Sequence, residues 1–87
     1  MEEAQKNKLM KKLALVLIYL CSWEEKEFDT VARRACKGYD FDLLDELKEE
    51  DLIDFSYKAK SLYLTPEGIE KAKELLERFE RMFTENP

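Results

Sequence analysis

The sequence predicts one mainly α domain with a single β-hairpin. Three observations carry this. Apolar residues recur three and four positions apart over 5–21, 24–37, 40–51 and 66–83, the spacing of helices buried on one side. Between 52 and 65 the period drops to two, the pattern of strands. Two Gly and two Pro among 87 residues leave few breaks, and a 45% hydrophobic content excludes a disordered chain.

Within the first helix, expected over 5–21, Leu9, Leu13, Val16, Leu17 and Leu20 form one stripe. Leu15, Ile18 and Tyr19 lie away from it, so the helix is apolar nearly all round and needs cover on two sides. Its uninterrupted apolar run, Leu13–Cys21, is far short of the ~20 residues that span a bilayer. It also lacks the small residues that close a secretory signal, so a buried helix and no membrane partner are expected.

The second helix is expected over 24–37. Ser22 and Glu25 fit a capping box, Phe28, Val31, Ala32, Ala35 and Cys36 form the apolar face, and Gly38 ends it. Asp40 caps a third helix over 40–51. There Phe41, Leu43, Leu44 and Leu47 fall on one side, and Asp42, Asp45, Glu46 and Glu49 on the other. From 52 to 65, Ile53, Phe55 and Tyr57, then Leu62 and Leu64, alternate with polar residues as two strands of a hairpin. Thr65 and Pro66 start the last helix, 66–83, which carries Ile69, Ala72, Leu76, Phe79 and Phe83, flanked by Leu75 and Met82.

Three helices, a two-stranded wing and a long C-terminal helix, all in one domain over 1–87, is the order of a winged helix-turn-helix. LLDELKEEDLIDFS followed by SLYLTPEGIEKAKELL resembles winged-helix transcription regulators of the multiple-antibiotic-resistance and PadR-like types. Through KGYDFDLLDEL and KAKSLYLTPEGIEKA the chain resembles, over roughly residues 9 to 83, a family of short uncharacterised prokaryotic winged-helix proteins. The regulator resemblance implies DNA binding.

Charge qualifies that implication. DFDLLDELKEED, at the position of a reading helix, has seven acids in twelve residues, and the net charge is −5. Ionised Asp42, Asp45, Glu46 and Glu49 donate no hydrogen bond to a base and repel phosphates. Nucleic-acid contact is therefore expected to be weak and sequence-tolerant. It would be made by Arg33, Arg34 and Lys37 at the second helix and Lys58 and Lys60 on the wing. The alternative is a protein-interaction adaptor without DNA binding, its acidic face meeting a basic partner. A homodimer is expected, joined through Leu15, Ile18, Ile69, Ala72, Leu76, Phe79 and Phe83 of the terminal helices.

The chain has no His, and Cys21 and Cys36 form no CxxC pair. No metal, cofactor or catalytic group is expected, hence no enzyme. Both cysteines read as buried free thiols of a cytoplasmic protein. Trp23 reads as a core plug, and Tyr57 and Tyr63 as packed against the hairpin.

Overall fold

The computed structural model describes residues 1–27 and 29–85. Its elements are α1 (Glu3–Leu20), β1 (Trp23–Glu27), β2 (Thr30–Cys36), α2 (Phe41–Glu49), β3 (Ile53–Asp54), β4 (Ser61–Leu64) and α3 (Pro66–Glu85). The strands form one antiparallel sheet in the order β1-β2-β4-β3. Ala35, Ile53, Leu62 and Leu64 point from one sheet face into a core completed by Leu15 and Ile18 of α1, Leu44 and Leu47 of α2, and Ala72 and Leu75 of α3. The opposite sheet face carries Trp23, Arg34 and Tyr63 in one cross-strand row, with Asp54 at its end.

The winged helix-turn-helix expectation is corrected. Of residues 24–37, read as a second helix, 24–27 lie in β1 and 30–36 in β2, so no helix-turn-helix forms among the described residues. Phe28, assigned to that helix, lies outside the described residues. A helix here would have buried a stripe made mostly of small residues. In the strand, alternation turns Ala35 inward (1% exposed) and Ala32 and Cys36 to the other face. Opposite charges then meet across the hairpin. Glu24 pairs with Arg33 at 3.3 Å, and Glu25 with Arg34 at 3.2 Å. The residues read as a wing do supply β3 and β4, but β3 is two residues long. The far edge of β4 is covered by β2, in the register Arg34–Tyr63, Ala35–Leu62 and Cys36–Ser61. That pairing removes an apolar strand edge a lone wing would leave open.

Helix α1 also presents its faces in the reverse of the expected sense. Leu15 and Ile18 are fully buried, with Ala14 and Val16 beside them. Leu15 and Ile18 are the two α1 residues expected at a dimer contact; of the other stripe only Val16 is buried, and Leu9, Leu13, Leu17 and Leu20 are 43–58% exposed. A helix apolar on both sides gives no sequence signal for which side faces in. The arrangement of α2, α3 and the sheet around it decides.

The corner from α2 to α3 is tightly built. α2 starts on Asp40, whose carboxylate accepts a hydrogen bond from the Asp42 amide at 3.0 Å. It ends with Asp51 in the left-handed region (φ 59°), while the Leu52 amide reaches the Leu47 carbonyl at 3.0 Å and the Asp51 amide reaches that of Lys48 at 3.0 Å. This is the paired closure of a Schellman motif, with Asp in place of glycine. The Leu52 carbonyl then accepts from the Thr65 amide (3.2 Å), and the Thr65 hydroxyl donates to the Asp51 carbonyl (2.6 Å) and accepts from the Gly68 amide (3.0 Å). Gly68 sits so close that a Cβ there would overlap the Leu52 carbonyl.

Three smaller expectations change. Cys21 and Cys36 are free but exposed, because one follows the end of α1 and the other faces outward at the end of β2. Trp23 is 42% exposed on the open sheet face and plugs no core. Tyr57 stands 71% exposed, although its ring meets Phe55 edge-on.

Candidate functional site

The residues named for nucleic-acid contact do not share a face. Arg33 and Arg34 are adjacent in β2 and point to opposite sides of the sheet. Arg33 turns toward α1, over the Tyr19 ring (5.2 Å) and onto the Ser22 hydroxyl (2.7 Å). Arg34 lies on the open face, over the Tyr63 ring (4.5 Å) and bonded to Ser61 (3.0 Å). Lys37 is used within the fold. It donates to the carbonyls of Ser56 (2.9 Å) and Ala59 (3.0 Å) and sits on one side of Phe55, while Lys48 approaches the same ring and donates to the Phe55 carbonyl (2.8 Å). Together they pin the β3–β4 loop, where Lys58 and Lys60 remain exposed.

The acidic side of α2 is solvent-facing as a face, with Asp42 and Glu49 exposed and Asp45 and Glu46 partly covered. All four line a groove of about 440 Å³ that also meets Asn7 and Met10 of α1. At its edge the Tyr57 hydroxyl donates to Asp45 (3.3 Å). The charge of Asp45, and then this bond, hold the Tyr57 phenol above its ordinary value. Asp45→Asn is therefore expected to shift the ionisation of one tyrosine to lower pH in a near-ultraviolet titration. Tyr39, raised chiefly by burial, should be unmoved.

Of the expected dimer residues, Leu15, Ile18 and Ala72 are closed inside the chain. Ile69, Leu76 and Phe79 are half-buried against the same core, and Phe83 is 80% exposed near the end of α3. The surface left apolar is a different one: the line Leu9, Leu13, Leu17 and Leu20, with Met10 at its side. Its length is about 17 Å at 1.5 Å per residue.

On another side of α1 a cleft of about 310 Å³ opens between α1, α3 and the end of α2. Leu15, Leu47 and Leu52 form its apolar floor. Its rim is basic: Lys8, Lys11 and Lys12 from α1 and Lys71 from α3. Lys11 donates to Glu50 at 2.9 Å, and this hydrogen bond raises its pKa, with burial opposing. Among the described residues, Lys8, Lys12 and Lys71 have no ion-pair partner. The spacing of Lys8, Lys11 and Lys12 along one helix face is visible in the sequence. That Lys71 joins them depends on how α3 folds back. Among the described residues no group of three acids or cysteines converges as a metal site, and no helix is long and apolar enough to cross a membrane.

A family model matches residues 6–82, nearly the whole fold. The chain belongs to the family described as a domain of unknown function, DUF6429. No curated protein and no solved structure matches it. In this DUF6429 chain the matched span takes in most of α1, the whole sheet, α2 and most of α3. Both the leucine line and the basic cleft therefore lie within it.

Proposed function

We propose that this DUF6429 domain is a self-associating interaction module, with the open leucine line of α1 as its contact surface. The observation that carries this reading is the exposure of Leu9, Leu13, Leu17 and Leu20 in one row. A row of four large apolar side chains in an otherwise highly charged surface is what a partner face looks like.

The spacing favours a second copy. In an antiparallel two-fold pairing, Leu9 meets Leu20 of the partner subunit and Leu13 meets Leu17 of the partner subunit, so one patch serves both chains. Lys6 falls on the same line, one turn before Leu9. That pairing would bring it to the carboxyl end of the partner helix, where a cation is favoured.

Light scattering after size exclusion tests this. The wild type is expected at twice its 10.4 kDa mass at micromolar concentration. Leu13→Glu with Leu17→Glu is expected to be monomeric with an unchanged far-ultraviolet dichroism spectrum, because both side chains are half open in the monomer. A wild type that stays at the monomer mass at every concentration would overturn the reading. The same samples, titrated with random duplex DNA at low salt, check the nucleic-acid alternative. Steep salt-dependent binding would favour that alternative.

A further inference from the structure

We infer that the basic cleft between α1, α2 and α3 binds a small phosphate ester, with its phosphate on the lysines and an apolar group on the leucine floor. The chain has a net charge of −5, with fifteen Lys and Arg against twenty acids. In such a chain, free cations have many acids to pair with. Yet Lys8, Lys12 and Lys71 converge on one concavity without a carboxylate partner among the described residues. Holding like charges together is unfavourable unless an anion joins them. Glu50, the one acid in the lining, pairs with Lys11, on which Glu46 and Glu49 also act from α2, so the lining residues themselves carry three positive charges in excess.

The charge points to the head of the ligand. A phosphate monoester carries about −1.5 to −2 near neutral pH and has three acceptor oxygens, and lysines bind it as point charges. A single carboxylate would leave more of the rim uncompensated. The floor sets the rest. Leu15 and Leu47 are 1% exposed overall, yet both line the cleft with Leu52. The volume, about 310 Å³, is at the lower end for small-ligand sites. It fits a phosphate plus a short apolar chain or one ring. The walls are held in place: Leu52 by its carbonyl bond to the Thr65 amide and by the Gly68 approach, and Lys11 by Glu50. The cleft also lies away from the leucine line, so it does not depend on self-association.

Hexyl phosphate is the probe, followed by calorimetry and by backbone amide shifts. It is expected to bind saturably with one site per chain, shifting amides of Lys12, Leu52 and Lys71. Inorganic phosphate should bind at least about tenfold more weakly, a difference of about 1.4 kcal/mol, and hexanol should not saturate. Lys12→Ser with Lys71→Ser should weaken hexyl phosphate at least about tenfold. Lys58→Ser with Lys60→Ser removes the same charge elsewhere and should leave it unchanged. All four lysines are exposed, so both variants should keep the wild-type dichroism spectrum. Equal weakening by the two double variants would overturn the proposal, since binding would then follow general charge. So would the lack of saturable binding, or capture by phosphatidic acid vesicles without any binding of soluble hexyl phosphate.

Discussion

Replacing Ile18 with alanine is expected to destabilise the chain by about 2–5 kcal/mol, whereas Leu17→Ala should cost the monomer less than about 1 kcal/mol. Ile18 is 0% exposed and Leu17 is 50% exposed. The two residues are neighbours on one helix and differ little in apolar bulk, so local helix propensity cannot separate them by this amount. The difference comes from the cavity that Ile18 would leave among packed side chains. A domain of this length has roughly 4–13 kcal/mol of total stability, so a loss of this size is a large share of it. Urea unfolding at several protein concentrations gives a second reading. The Ile18 loss should not depend on concentration. The Leu17 loss should grow with concentration, because only the associated form uses that side chain. Equal losses at low concentration would mean that α1 is turned the other way.

Gly68→Ala is expected to cost about 3 kcal/mol, the upper end for forcing extra atoms into a packed site. The added Cβ would overlap the Leu52 carbonyl oxygen and lie 2.8 Å from its carbonyl carbon. The obstacle is backbone, so no side chain can rotate away. That carbonyl is held by the Thr65 amide, and the adjoining Asp51 carbonyl by the Thr65 hydroxyl. Relief would require parting α3 from the α2–β3 corner and breaking those bonds. Alanine's better helix propensity returns at most about 1 kcal/mol. Gly38→Ala is the control. A Cβ there meets nothing within 4 Å, and neither glycine has a positive φ. It should be neutral or slightly stabilising, by up to about 1 kcal/mol, through reduced freedom of the unfolded chain. The urea midpoint should fall for Gly68→Ala at unchanged slope. A midpoint equal to that of Gly38→Ala would contradict the close approach at Leu52.

Elements with strong local signals can be read from the sequence alone. Asp40 and Thr65 begin α2 and α3 as their side chains allow, and Pro66 occupies the first helical position, where its missing N–H is not needed. The one-sided stripe of α2 places Leu44 and Leu47 inside and its acids outside, since a helix polar on one side can turn only one way. The alternation after Leu52 marks β3 and β4. The capping residue Thr65 also bonds the Asp51 carbonyl, a contact across the chain that no local pattern contains.

Tertiary structure decided the rest. Residues 22–36 carry a capping box and helical spacing, but also Trp, Thr and Val, and their small apolar residues gain little from a helix. The waiting edge of β4, about thirty residues away in sequence, and the Glu–Arg pairs across the hairpin give β2 a partner. Local reading cannot weigh a bond to a distant strand, which is why the sequence points to a helix-turn-helix where the chain forms a four-stranded sheet. α1 is the same lesson in another form. With leucines on one side and Leu15 and Ile18 on the other, the sequence establishes that the helix is apolar all round, and only the packing of α2, α3 and the sheet selects the buried side. That choice also makes both candidate sites. It opens the leucine line, and it turns Lys8, Lys11 and Lys12 toward Lys71, because side chains at helical spacing move together when a helix rotates.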